Sequence, residues 1–161
     1  MGLISKNFNP QSPPKNATEA LDAFFSGYGV SIKPKPASFT HDGMHFQAKL
    51  YITDENDKPL LEVIEGVNEP TWLFLAEKIL GVEASAAKEN ESDIADMTQE
   101  ILNIFAGNAI KDFFDEQIYL LTPPEPIAAS ALNPKSDVMI ISYLLGDQEN
   151  HSVLFAVSKM P

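Results

Sequence analysis

The sequence predicts an α/β sandwich, with helices laid over one face of an antiparallel or mixed sheet. Three observations lead there. Phe46, Ala48, Leu50 and Ile52 alternate with polar residues, and Leu61 and Val63 continue the alternation, which is the two-residue period of strands with one buried face. Around them lie stretches whose apolar residues recur every three to four positions, Ala17 to Phe25 and Ile94 to Phe105. The chain has 161 residues, enough for one domain with a two-layer core and too few to expect a second.

Taken in order, residues 1–15 are polar and Pro-containing without periodicity, and are expected to form a flexible arm ahead of a single domain over 16–161. Asn16 is placed to cap the first helix, with Glu19 three residues on as in a capping box, and Gly27 to end it. Val30 to Lys33 reads as a short strand, and Pro34 and Pro36 as a stiff link. The strand hairpin follows, turning at Asp54 to Lys58. Asn68 or Glu69, followed by Pro70, starts a second helix that Gly81 ends. Ala84 to Glu91 is expected to be a soft linker, and Ser92 with Asp93 to open a long helix running to about Phe114. Ile118 to Thr122 reads as a strand stopped by Pro123, and Val138 to Leu145 with Val153 to Val157 as a closing hairpin.

Composition excludes several classes of function. There is no cysteine, so neither a disulfide framework nor a thiolate metal site is available. No charged-then-apolar leader opens the chain, and the longest apolar runs fall far below the ~20 residues that span a bilayer. A soluble, cytoplasmic protein is expected. The net charge of −12, with eleven lysines and no arginine, disfavours nucleic acid and suits a basic or metal-bearing partner surface.

The chemistry concentrates on the long helix. At ~100° per residue, Asp96, Glu100, Asn103 and Gly107 fall within a stripe about 60° wide, with Asn108 beside it. Ile94, Met97, Ile101, Ile104 and Phe105 form the opposite, inward stripe. Read alone, acids and an amide on the outer face are an ordinary solvated surface. Three other clusters read as ordinary too. His41 and His45 with Asp42 lack a third metal ligand at fixed spacing. Asp54 to Asp57 lacks the glycine and terminal glutamate of a Ca²⁺ loop. His151, at a hairpin entry, reads as a surface residue.

The spacing changes this reading. Asp96, three residues, Glu100, two residues, Asn103, then Pro126 after twenty-two more resembles the active centre of the CheC/CheX/FliY phosphatases of bacterial chemotaxis, and the element order resembles the single-domain CheX branch. The resemblance implies a CheC-like α/β sandwich and a substrate that is the phosphoaspartate of a CheY-type receiver domain. Glu100 and Asn103 are then the catalytic residues, the amide positioning the attacking water and the acid docking on the receiver's active-site lysine. Asp96, Gly107 and Pro126 are partner-binding, with Gly107 and Ala106 keeping the helix thin for close approach and Pro126 shaping a loop beside the site. No cofactor of its own is implied, the Mg²⁺ being held by the receiver. Two-centred members repeat the motif on the first helix; here Lys15, Glu19 and Asp22 stand there without an asparagine, so one centre is expected. The branch also implies a two-fold homodimer, for which Val138 to Ile141 offers a sheet edge. The alternative is a non-catalytic receiver-binding or scaffolding module that keeps the same face.

Overall fold

A computed structural model of the chain describes residues 13–35, 44–114, 118–128, 138–147 and 150–160. Its centre is the hairpin of β2 (Met44–Thr53) and β3 (Pro59–Asn68). The turn between them is held by the Asp54 carboxylate, which accepts from the Asn56 and Lys58 amides at 2.9 and 3.0 Å, while Asp57 takes a left-handed φ of 63°. The closing hairpin is β6 (Val138–Leu145) and β7 (Ser152–Lys159). Together with β1 (Ile32–Lys35), β4 (Leu120–Leu121) and β5 (Glu125–Pro126), these strands form one antiparallel sheet in the order β1-β6-β7-β3-β2-β4, with β5 also on β2.

Register assigns the faces. Ala48, Leu50 and Ile52 on β2 stand opposite Glu65, Val63 and Leu61 on β3, and Val63 and Glu65 stand opposite Val157 and Phe155 on β7. This face is covered by three helices: α1 (Lys15–Ser26), α2 (Glu69–Leu75) and α3 (Glu91–Phe113). The α/β sandwich expected from periodicity is therefore present, with all helices on one side. Phe105 of α3 stacks on Phe155 with centroids 3.9 Å apart, and Tyr143 meets both rings edge-on. Each such buried ring contributes about 1.5–3 kcal/mol by leaving water.

Local signals are honoured in part. Asn68 caps α2, its side-chain oxygen accepting from the Thr71 amide at 3.0 Å, with Pro70 in the first turn. The helix continues as a π-helical turn over Ala76–Leu80 and stops at Gly81, whose φ is 68°. Asn16, by contrast, is not a cap: α1 begins at Lys15 after Pro14, and Asn16 lies inside it. The segment read as a soft linker is wound into a 3₁₀ helix over Ala84–Asn90 with Ala87 buried, so α3 begins at Glu91 and Ser92 is already helical. β1 starts at Ile32 and takes in Pro34, which pairs with Tyr143 from the sheet's edge, where a missing N–H is tolerated.

Three further expectations meet a more detailed picture. The strand read over Ile118–Thr122 shortens to Leu120–Leu121; it stops ahead of Pro123 as expected, and Glu125 and Pro126 form a second short strand beyond the two prolines. β6 lies between β1 and β7, but β1 pairs only its Ser142–Leu145 half, so among the described residues Val138–Ile141 extends beyond that pairing, as the expected edge would. His151 is half-buried, its ring tilted on Phe74 at 4.4 Å, and burial lowers its pKa. Phe113 and Phe114 belong to the core, and residues 1–12 of the expected arm lie outside the described residues.

Candidate active site

α3 is twenty-three residues long, and its burial follows from what surrounds it. Ile94, Met97, Ile101 and Phe105 face inward as the spacing requires, while Ile104 is only half-buried. Thr98, Leu102, Ala106 and Ala109 are buried as well. α1 packs against α3, so more than one stripe is covered. Ala106 therefore serves the core and not the approach of a partner. Glu91 and Asp93 in the first turn complement the helix dipole, which carries no side-chain cap at this end.

The remaining face is the one the motif occupies. Asp96 and Glu100 are exposed, and Asn103 and Gly107 half-buried. The amides on α3 differ in a telling way. The Gln99 side chain donates to the Ala95 carbonyl at 3.1 Å, and that of Asn108 to the Ile104 carbonyl at 2.8 Å. Asn103 makes no side-chain hydrogen bond among the described residues, and neither Asp96 nor Glu100 has a hydrogen-bond or ion-pair partner there. Asn108 thus turns back on its own helix and does not join the stripe. Among the described residues the helix thus offers an amide without a partner, preceded on the same face by two acids without one.

The sheet edge builds the neighbouring wall. Leu121 pairs with Ile52, the Thr122 amide donates to the Tyr51 carbonyl at 2.9 Å, and the Tyr51 amide donates to Thr122 Oγ1 at 2.8 Å. After the two prolines, Glu125 and Pro126 stand opposite Lys49 and Ala48, and the Ile127 amide closes on the Gln47 carbonyl at 3.0 Å. Pro126 is exposed, and its register with Ala48 puts it on the helix-bearing side of the sheet. Two fixed points set its position along α3. Phe46, Trp72, Glu91, Ser92 and Ala95 share one cleft with His45, so the start of α3 lies over the start of β2. Gly107 lies by Leu121, and hence by Ile52 near the end of β2. Ala48 and its partner Pro126 fall between, beside the turns that carry Asp96, Glu100 and Asn103. Pro126 thus sits in a strand and not in a loop.

Gly107 is not bare. A methyl group added to it would meet Leu121 Cδ1 at 3.6 Å, an ordinary contact, so the leucine already rests against this turn. Leu121 is the site residue that sequence reading missed, because a single leucine in a two-residue strand carries no periodic signal. Among the described residues no three His, Asp or Glu side chains are grouped to hold a metal ion, and no helix is long and apolar enough to cross a membrane. His45 instead pairs loosely with Glu69 at 3.8 Å and leans on Trp72; His41 and Asp42 lie outside the described residues.

No sequence-family profile matches the chain, and no curated protein is similar to it in sequence. Solved structures are similar in fold. A chain of the CheX-CheY-BeF3-Mg²⁺ complex from Borrelia burgdorferi matches with a TM-score of 0.66 at 18% identity, covering 91% of this chain and 97% of that one. CheX from Vibrio vulnificus matches at 0.63 and 14% identity, covering 96% and 99%. A CheC-like chemotactic protein from Shewanella oneidensis matches at 0.62 and 11% identity, covering 98% and 100%. The class this defines is the CheC/CheX fold, an antiparallel sheet beneath three helices of which one is long. Within it the similar structures include single-domain CheX proteins matched over nearly their whole length, which bears out the resemblance read from the motif at the level of fold.

Proposed function

We propose that this protein is a phosphatase acting on the phosphoaspartate of a CheY-type receiver domain. The observation that carries the reading is the Asn103 amide, without a side-chain hydrogen bond among the described residues, on an outward helix face one turn after Glu100 and beside the edge strand that holds Pro126. Supporting it is the likeness in fold to a CheX solved together with CheY, BeF3 and Mg²⁺. Beryllofluoride is a stand-in for a phosphoryl group.

An acyl phosphate needs little from its hydrolase. Water attacks phosphorus in line, the bond from phosphorus to the aspartyl oxygen breaks, and the carboxylate leaves. A Mg²⁺ held by the receiver would supply the charge neutralisation at the phosphoryl oxygens, leaving this chain to supply position. Asn103 supplies position: its carbonyl oxygen accepts from the attacking water while its NH₂ donates to a phosphoryl oxygen. An amide does both without changing protonation. Glu100 pairs with the receiver lysine and fixes where Asn103 enters, while Asp96 and Pro126 frame the rim. The reading also carries a cytoplasmic location, where receivers signal, and a two-fold dimer that uses the Val138–Ile141 half of β6.

The test is phosphate release from a phosphorylated CheY-type receiver, with binding titrated separately. Asn103→Ala should lower turnover on the order of 10²-fold or more, as for loss of one transition-state donor, and leave affinity nearly unchanged. Wild-type protein that binds the phosphorylated receiver without accelerating phosphate loss would overturn the phosphatase in favour of a receiver-binding module.

A further inference from the structure

Glu65 lies in the core of the molecule. It stands mid-strand on β3, fully buried, on the face the helices cover, and neither carboxyl oxygen has a hydrogen-bond partner. Its cross-strand neighbours are the single methyl of Ala48 on β2 and the ring of Phe155 on β7. Phe155 is itself stacked beneath Phe105 of α3, two residues beyond Asn103. A solitary carboxylate costs several kcal/mol to bury without a partner, whereas the protonated acid is a small neutral dipole.

Among the described residues the surroundings offer no compensating charge. Phe46 and Leu50 flank Ala48 on β2, Val153 and Val157 flank Phe155 on β7, and Val63 and Val67 flank Glu65 on β3. From α3 the buried residues are apolar except Thr98, whose hydroxyl already donates to the Ile94 carbonyl at 2.7 Å. α2 presents buried Trp72, and its Glu69 is exposed beside His45. Lys49 and Glu62 point to the opposite face of the sheet, by alternation with Ala48 and Val63. The acids of α3 and Lys111 are exposed, apart from Asp112, which binds the start of α1. The titratable group nearest in the ring stack is Tyr143, held neutral by burial and bonded to the Thr18 hydroxyl at 2.7 Å. Burial alone accordingly pushes the Glu65 carboxyl well above the usual carboxylate range.

We propose that Glu65 is a proton-coupled lock on the helix layer: the folded protein holds it as a neutral acid beneath α3, and its deprotonation loosens α3 from the sheet. Loosening acts through the Phe155–Phe105 stack on the turn that carries Glu100 and Asn103, but the lock stands whether or not that turn is catalytic. The sign follows from proton counting. Between the unfolded carboxyl's pKa and the raised folded one, the folded state binds the extra proton, so stability is greatest below this window and falls as pH rises through it.

Denaturant unfolding of wild type and Glu65→Gln from pH 5 to 9 tests this. The amide mimics the protonated acid, so the difference between the two proteins cancels the histidines and surface acids. The folded-to-unfolded ratio of wild type relative to Glu65→Gln should fall by up to tenfold per pH unit until the folded pKa is passed. Parallel profiles would overturn the proposal. Amide hydrogen exchange of α3 in wild type, corrected for intrinsic pH dependence, needs no variant. Protection should decline as pH rises; protection independent of pH overturns the lock even if Glu65→Gln fails to fold.

Discussion

Asp112, in the last turn of α3, is the N-terminal cap of α1: one carboxylate oxygen accepts from the Asn16 backbone amide at 3.0 Å and from its side-chain amide at 2.8 Å. The other oxygen accepts from the Ala17 amide at 3.2 Å. α1 has no side-chain cap at Pro14, so donors that its own sequence leaves unmet are satisfied from a residue ninety-six positions away. Asp112→Ala should therefore destabilise the protein by about 1–2 kcal/mol, the range for loss of a helix cap. Asn16→Ala, which keeps both backbone donors, should cost less. Urea midpoints at constant m-value separate the two.

Gly107 touches Leu121, so the size of a side chain placed there reads out the wall of the site. Gly107→Ala adds a methyl at van der Waals distance from Leu121 Cδ1 and should raise stability by about 0.5–1 kcal/mol through helix propensity. Gly107→Leu has no such room without displacing Leu121 and the short strand it belongs to. It should lower the thermal midpoint, and it should weaken receiver binding by lifting the edge strand. An unchanged midpoint in the leucine variant would show that Leu121 yields freely.

Glu100 is exposed and has no ion-pair partner among the described residues, so its loss leaves nothing buried behind there. Glu100→Lys should fold with unchanged stability and bind a CheY-type receiver far more weakly, since it opposes the receiver lysine with a second cation. Titration calorimetry against a beryllofluoride-loaded receiver reads this directly. Equal affinity for both proteins would remove Glu100 from the docking contact.

What the sequence made legible was what neighbours in the chain decide. Alternation placed β2 and β3, the closing hairpin of Val138–Leu145 and Val153–Val157 placed β6 and β7, the Asn68-Glu69-Pro70 sequence placed α2, and the spacing from Asp96 to Gly107 placed one outward face. Distant partners were not legible. Asn16 looks like a cap until Asp112 arrives from the far end of α3, and His151 looks like a surface residue until Phe74 covers it. Nothing local reveals that β1, more than a hundred residues earlier, pairs the Ser142–Leu145 half of β6 and leaves Val138–Ile141 beyond that pairing. The wall of the site escaped for the same reason: Pro123 and Pro124 say that a strand stops, but only pairing with Lys49 and Ala48 makes it resume.

The order of strands also fixes an order of events during synthesis. β3 meets β2 across a short turn, but its other neighbour, β7, closes the chain. At the pace of translation, β3 waits on the order of ten seconds with one side open. Such an edge, rich in valine, leucine and isoleucine, invites pairing with another nascent chain. Glu62 and Glu65 stand on its two faces, and a glutamate side chain left in water at neutral pH carries a negative charge. The carboxyl whose burial favours the neutral form in the finished molecule is thus a charge on the unfinished one, a feature that disfavours edge pairing until β7 arrives.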